Sequence, residues 1–209
     1  MTENLFPAFI KLAGRRCLVV GAGVIAEEKI QSLLLAGARI TVTAPEATPA
    51  IAGLARKKQI AWRRRAFKPA DVRGFFLIIA ATATASVNHS VHRAAQSQRI
   101  LCNAVDDPPN CDFYFPAVVR RGSLQVAIST AGESPALAQR LRRELEERLD
   151  PSLGESVRLL GTLRREILAS YAPSAGRKEL LHILASSEGL AAIAQLANLT
   201  QLSKPGVKL

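Results

Sequence analysis

The stretch that most constrains this chain runs from Cys17 to Ala26. The apolar run Cys17-Leu18-Val19-Val20 meets Gly21-Ala22-Gly23-Val24-Ile25-Ala26, which reads as a buried strand, a tight glycine turn and the start of a helix. Gly21 allows the turn, and Gly23 lets the backbone approach a phosphate. Ala26, where a third glycine is common, is small enough for the helix to pack close to the strand. Free N–H groups at the helix start then offer a seat for a dinucleotide's pyrophosphate. Glycine turns are also ordinary punctuation between strand and helix, so this one takes its meaning from its neighbours in the chain.

Residues 17–44 together make a βαβ unit. Ile30, Leu33 and Leu34 recur at helical spacing, Gly37 is placed to end the helix, and residues 39–44 alternate as a second strand closed by Pro45. One element of the dinucleotide fingerprint is missing. The second strand ends at Thr43-Ala44 instead of an acid that would hold the ribose hydroxyls, and Glu46 comes only after Pro45. No arginine follows at once, so the reading leans to NAD over NADP, with Glu46 or backbone groups at the ribose.

Alternation of strand and helix continues. The spacing predicts a short helix over 48–58, a short strand over 60–62 with Trp62 as a packing residue, a helix over 86–98 and a strand over 100–105. Phe75-Phe76-Leu77-Ile78-Ile79-Ala80 is a continuous apolar run of the kind buried on both faces of a parallel sheet, and Thr82 follows at its carboxyl edge. Residues 5–12, broken by Pro7, are expected as an edge strand or an arm packed on the core. Two acids, Asp106 and Asp107, follow the last strand where ligands bind in such sheets. They suit a general base or a metal, and equally plain turn chemistry.

The pattern then changes. Residues 113–119 and 124–129 read as a hairpin, and Ser129-Thr130 opens a small-residue loop. Ser134-Pro135 starts a helix striped by Leu137, Leu141, Leu145 and Leu149. That loop can receive a carboxylate or phosphate, or only cap a helix. Beyond Asp150-Pro151, Val157, Leu160, Leu163 and Ile167 mark one helix, residues 180–184 and 190–199 suggest two more, and 203–209 are expected to fray.

Charge adds a demand. With 28 Lys and Arg against 17 Asp and Glu, the net charge is +11, and a basic protein calls for an anionic partner. Arg63-Arg64-Arg65, Arg120-Arg121, Arg142-Arg143 and Arg164-Arg165 are clustered, although any one cluster reads more simply as a solvated face. No stretch has the roughly eighteen apolar residues of a membrane span. The N-terminus lacks the basic start of a secretion signal, so a cytoplasmic protein is expected. Cys17, Cys102 and Cys111 are too dispersed for a disulfide framework or zinc site, and His89, His92 and His182 have no ligand spacing.

Several of these features occur together in one family: Leu5-Phe6-Pro7, the Gly21 turn, Ala80-Ala81-Thr82, Asn103-Ala104-Val105-Asp106-Asp107, Phe115-Pro116-Ala117 and Ser134-Pro135-Ala136-Leu137-Ala138. In this order and spacing the chain closely resembles the siroheme synthase dehydrogenase/chelatase family, strongly over residues 5–150 and weakly beyond. The resemblance implies precorrin-2 dehydrogenase activity on a carboxylate-rich tetrapyrrole, with or without ferrochelatase activity that takes Fe²⁺ as a substrate. It implies NAD held by Gly21, Gly23, Val24 and Ile25, with Pro45 and Glu46 near the adenosine and Thr82 beside it. Asp106 would be the general base, Asn103, Ser129 and Thr130 would line the substrate cleft, and no resident metal is expected. A homodimer is implied, joined through 113–149, in a form without the methyltransferase domain of fused relatives. Relatives often carry glycine for Ala22, a basic residue for Glu28, and acids for Ala83-Thr84-Ala85; the last difference bears on metal handling more than on hydride transfer.

The expected fold is therefore α/β: a Rossmann-like doubly wound parallel sheet over 1–112, a β-hairpin/helix dimerisation region over 113–149 and a small C-terminal helical module over 150–209. Two rivals keep other classes open, a basic nucleotide- or nucleic-acid-binding module and a non-catalytic scaffold dimer. Few aromatics, 5% of residues, speak against base stacking in the first. No membrane partner is expected.

Overall fold

In the first strand, β1 (Arg16–Val20), successive side chains enter different layers. Cys17 and Val19 pack into one apolar cluster with Ile30, Val42 and Ile79, while Leu18 and Val20 pack into a second with Ile78, Val91 and Cys102. A strand whose two faces are both buried needs helices on both sides, which is the demand that a doubly wound sheet meets.

The computed structural model describes residues 4–202, with side chains through Gln195. The chain divides into two compact units, one ending at Phe115 and the other beginning at Pro116. In chain order the first holds β1, α1 (Val24–Leu35), β2 (Arg39–Thr43), α2 (Pro49–Arg56), β3 (Ala61–Arg63), β4 (Leu77–Ala80), α3 (Ala85–Ser97) and β5 (Leu101–Ala104). Short 3-10 turns occupy Pro69–Val72 and Pro108–Asn110. All five strands are parallel, in the order β3-β2-β1-β4-β5. The order reverses between β1 and β4, so their carboxyl ends flank the crevice where ligands bind in open α/β sheets.

Local chemistry explains the boundaries. Gly23 stands at the N-cap of α1, and Ala26, Ile30 and Leu33 form its buried stripe. The Thr48 hydroxyl accepts from the Ile51 N–H at the start of α2, with Pro49 in the first turn. Trp62 is half-buried against the core and donates Nε1–H to the Ala44 carbonyl at 3.0 Å, which ties β3 to the end of β2.

Two expectations are corrected. Residues 5–12 form no strand and are only lightly packed: Leu12 is buried, whereas Phe6 is 90% exposed and Phe9 70%. Pro7 cannot donate to a ladder. The hairpin strand begins at Ala117, not at 113, because Phe113 and Phe115 pack on the first unit's core with ring centroids 5.6 Å apart. Lys29 lies 4.4 Å over the Phe115 ring, and the first unit extends past 112 to 115 accordingly.

In the second unit β6 (Ala117–Arg121) and β7 (Leu124–Ile128) form an antiparallel hairpin, followed by α4 (Pro135–Arg148), α5 (Leu153–Ser170), α6 (Ala175–Leu184) and α7 (Ser187–Leu202). The Arg121 guanidinium closes the C-terminal end of α4. It donates Nε–H to the Leu149 carbonyl at 2.6 Å and another N–H to the Glu146 carbonyl. Regions 113–149 and 150–209, read separately from sequence, fall into this one unit apart from Phe113–Phe115. The expected fraying of 203–209 lies outside the described residues.

Candidate functional site

The glycine turn fills the crevice between β1 and β4. Gly21 has φ +103, its N–H donates to the Thr43 carbonyl at 3.0 Å, and a Cβ added there would stand 2.3 Å from the Ala81 carbonyl oxygen. Only glycine fits that backbone and that gap. Gly23 differs: its backbone is extended, with φ −85 and ψ −174, and a Cβ there would meet nothing within 4 Å. The open space lies at the N-terminus of a twelve-residue helix, where free N–H groups and the helix dipole favour an anion.

Two recesses flank the turn within the first unit. One, of about 960 Å³, runs from Gly21–Gly23 past Thr43, Pro45 and Glu46 to Phe67 and Ser90. The second, of about 750 Å³, is lined by Gly23, Val24 and Ile25 on one side and by Val105, Asp106 and Asp107 on the other. Gly23, Ala81, Thr82 and Ala83 line both, so the loop after β4 forms the partition.

Asn88, which sequence reasoning passed over, fixes that partition. It is 5% exposed and accepts from the Thr82 N–H at 3.1 Å and the Thr82 hydroxyl at 2.7 Å, while its Nδ2 donates to the Thr82 carbonyl at 3.0 Å. The legible signal was the buried stripe Asn88, Val91, Ala95, an amide where an aliphatic residue is usual.

Of the paired acids, Asp107 accepts from Asn110 Nδ2 at 2.7 Å. Asp106 sits in the left-handed region at φ +60 and is exposed to the second recess. Among the described residues its carboxylate has no hydrogen bond or ion pair. Asn103 lies in β5. It is buried, and its amide donates to the Phe113 carbonyl at 2.8 Å and to Cys111 Sγ at 3.2 Å, so it anchors the loop after β5 and lines neither recess. Ser129 and Thr130 belong to the second unit. There the Ser129 hydroxyl accepts from the Ala131 N–H and that of Thr130 from the Ser134 N–H, both at 3.1 Å. Burial pushes the Cys17 thiol up to about 11 and that of Cys102 to about 12, which makes both unreactive packing residues.

A dinucleotide fits these features. Gly21 makes the sharp turn, Gly23 leaves room for a phosphate, and Thr43, 1% exposed at the end of β2, lines the larger recess. Thr43 Oγ1 is the single buried side-chain oxygen or nitrogen without a hydrogen-bond partner among the described residues. No cluster of three or more His, Cys, Asp or Glu suited to a metal occurs among them. Nor is any helix there long and apolar enough to cross a membrane.

A parallel sheet in the order 3-2-1-4-5, with a glycine turn and helix N-terminus at its switch point, defines a dinucleotide-binding protein of the Rossmann class. Residues 8–117 match a family described as putative NAD(P)-binding, and residues 121–148 match the central region of sirohaem biosynthesis proteins. A solved structure, SirC, a precorrin-2 dehydrogenase, superposes with a TM-score of 0.78 at 30% identity, covering 94% of this chain and 98% of that one. A siroheme synthase of Neisseria meningitidis serogroup C is 43% identical over 150 residues, which are 72% of this chain and 31% of that protein. Siroheme synthase 1 of Serratia proteamaculans is 41% identical over 150 residues, 32% of its length. The chain thus spans about a third of those curated relatives. It belongs to the NAD(P)-binding family of precorrin-2 dehydrogenases and siroheme synthases.

Proposed function

We propose that this protein oxidises precorrin-2 to sirohydrochlorin, with NAD as the hydride acceptor, in siroheme biosynthesis. The observation that carries the reading is that Asp106, a carboxylate with no hydrogen bond or ion pair among the described residues, lines the same recess as Gly23, Val24 and Ile25 at the start of α1. The substrate loses two hydrogens, one as a hydride and one as a proton.

Bound NAD would supply the hydride acceptor. Gly23 and the first N–H groups of α1 hold its pyrophosphate, Pro45 and Glu46 flank its adenosine, and Thr82 stands between the two recesses. Asp106 takes the proton released from the macrocycle, a role that suits an exposed carboxylate with no competing donor. We assign the Ser129 and Thr130 loop to the substrate carboxylates. The active form is a homodimer joined through 113–149. If Fe²⁺ insertion also occurs in this chain, Asp106 is the acceptor for the pyrrole N–H protons and Fe²⁺ enters as substrate.

The test is an anaerobic assay of the purified chain with precorrin-2 and NAD, beside Asp106→Asn. The variant is expected to lose at least about 100-fold in turnover, a typical share for a general base, with NAD affinity unchanged. Normal turnover by Asp106→Asn would remove that residue from the mechanism. A wild-type protein that binds NAD and leaves precorrin-2 untouched would refute the assignment.

A further inference from the structure

Of the residues that line the larger recess, none is basic and Glu46 alone is charged. That is unexpected in a chain of net charge +11. The absence is local, because the triplet Arg63-Arg64-Arg65 stands at the rim. Arg63 is in register with Thr43, and Arg65 immediately precedes Ala66, which lines the recess along with Thr43.

All three guanidiniums are engaged elsewhere. Arg65 grips Asp71 with two prongs, at 2.7 and 2.6 Å, and Arg63 reaches the same carboxylate at 3.2 Å. Arg64 lies over the Trp62 ring, 5.4 Å from its centroid. Asp71 is 8% exposed and also accepts from the Lys68 N–H at 2.9 Å, so the anion that collects these arginines is buried in the wall of the unit.

NADP differs from NAD by one phosphate on the adenosine ribose, and arginine is the side chain best shaped to take it in two-pronged fashion. Resting on the dinucleotide reading of this site, we infer that this chain selects NAD by withholding its arginines: Asp71 folds Arg63 and Arg65 away from the ribose end, and Glu46 repels a 2′-phosphate. The acid missing from the end of β2 is thus replaced by two acids with divided roles.

The experiment is equilibrium titration of the full chain with NAD and with NADP, each alone. Wild type is expected to bind NAD at least about tenfold more tightly, the size of one well-placed charge interaction. Asp71→Asn keeps the side-chain volume and an acceptor for Lys68, and should narrow that preference at least about threefold by tightening NADP, with NAD affinity unchanged. Arg65→Lys, which keeps the charge but cannot make the two-pronged pair, should do the same. Glu46→Gln, at a residue that also flanks the adenosine, should narrow the ratio of NAD to NADP affinity at least about threefold, whatever it does to NAD binding itself. The inference is overturned by a wild type that binds both equally or prefers NADP. It is equally overturned by an unchanged ratio in folded Asp71→Asn or, should that variant not fold, in Arg65→Lys. Binding of neither nucleotide by wild type would refute the dinucleotide reading itself, a distinct result.

Discussion

Asn88 grips Thr82 by both of its backbone polar groups and its hydroxyl, through contacts of 2.7 to 3.1 Å. One buried amide on α3 therefore sets the position of the loop that separates the two recesses. Asn88→Ala strands a backbone N–H and a C=O, at a cost of about 2–3 kcal/mol. Urea unfolding should show that loss, and NAD titration should show weakened binding as the loop relaxes. Unchanged affinity in the folded variant would mean that the clamp serves stability alone.

Gly21 and Gly23 stand two residues apart and should fail differently. Gly21→Ala places a methyl at φ +103 against the Ala81 carbonyl, and we expect at least about 2–3 kcal/mol of destabilisation from strain and clash. Gly23→Ala meets open space on an extended backbone and should cost less than about 1 kcal/mol, yet it should abolish detectable NAD binding by filling the phosphate seat. Thermal melts and titrations of the two variants check both halves. Full NAD affinity in Gly23→Ala would place the pyrophosphate elsewhere.

The pattern of legibility has physical reasons. β1, the glycine turn and α1 were readable because each is specified by neighbours in sequence: an apolar run, a forced turn, a 3.6-residue stripe. That Asp106 and Gly23 share a recess followed from topology, since parallel strands bring every βα loop to one edge. Asn88 and Asp71 were not readable, because an amide on a helix and an acid after Pro69 read as surface and turn chemistry until the fold brings Thr82 and Arg65 to them. Asn103 is assigned to the substrate cleft by the family resemblance alone, and the fold adds that its amide donates to the Phe113 carbonyl at 2.8 Å. The arm at 5–12 has an apolar composition that does not show whether anything covers it.

Thr43 invites a change that raises stability. Its buried Oγ1 has no partner, so Thr43→Val, nearly the same shape, should stabilise the NAD-free protein by about 1 kcal/mol. If the hydroxyl is kept for the ribose end of the cofactor, the same variant should bind NAD about threefold more weakly, less than one full hydrogen bond is worth. A urea midpoint that falls would show that Thr43 Oγ1 is satisfied in solution, and would remove it from the cofactor site.

Acid should loosen the first unit through Asp71. The Arg65 guanidinium holds the Asp71 carboxyl below the ordinary range against the opposing effect of burial, with help from the Lys68 N–H. A carboxyl depressed on folding adds stability that is complete above its unfolded value, about 4. That stability is lost as pH falls through the lower folded value, because the unfolded chain then binds the proton more readily. Urea midpoints should therefore be insensitive to this group near neutrality and fall below about pH 4. Asp71→Asn, less stable at pH 7, should lose less on the way to pH 3 because it has no charge left to titrate. Parallel curves for the two proteins would mean that the Asp71 pair with Arg63 and Arg65 contributes nothing to the acid sensitivity of the fold.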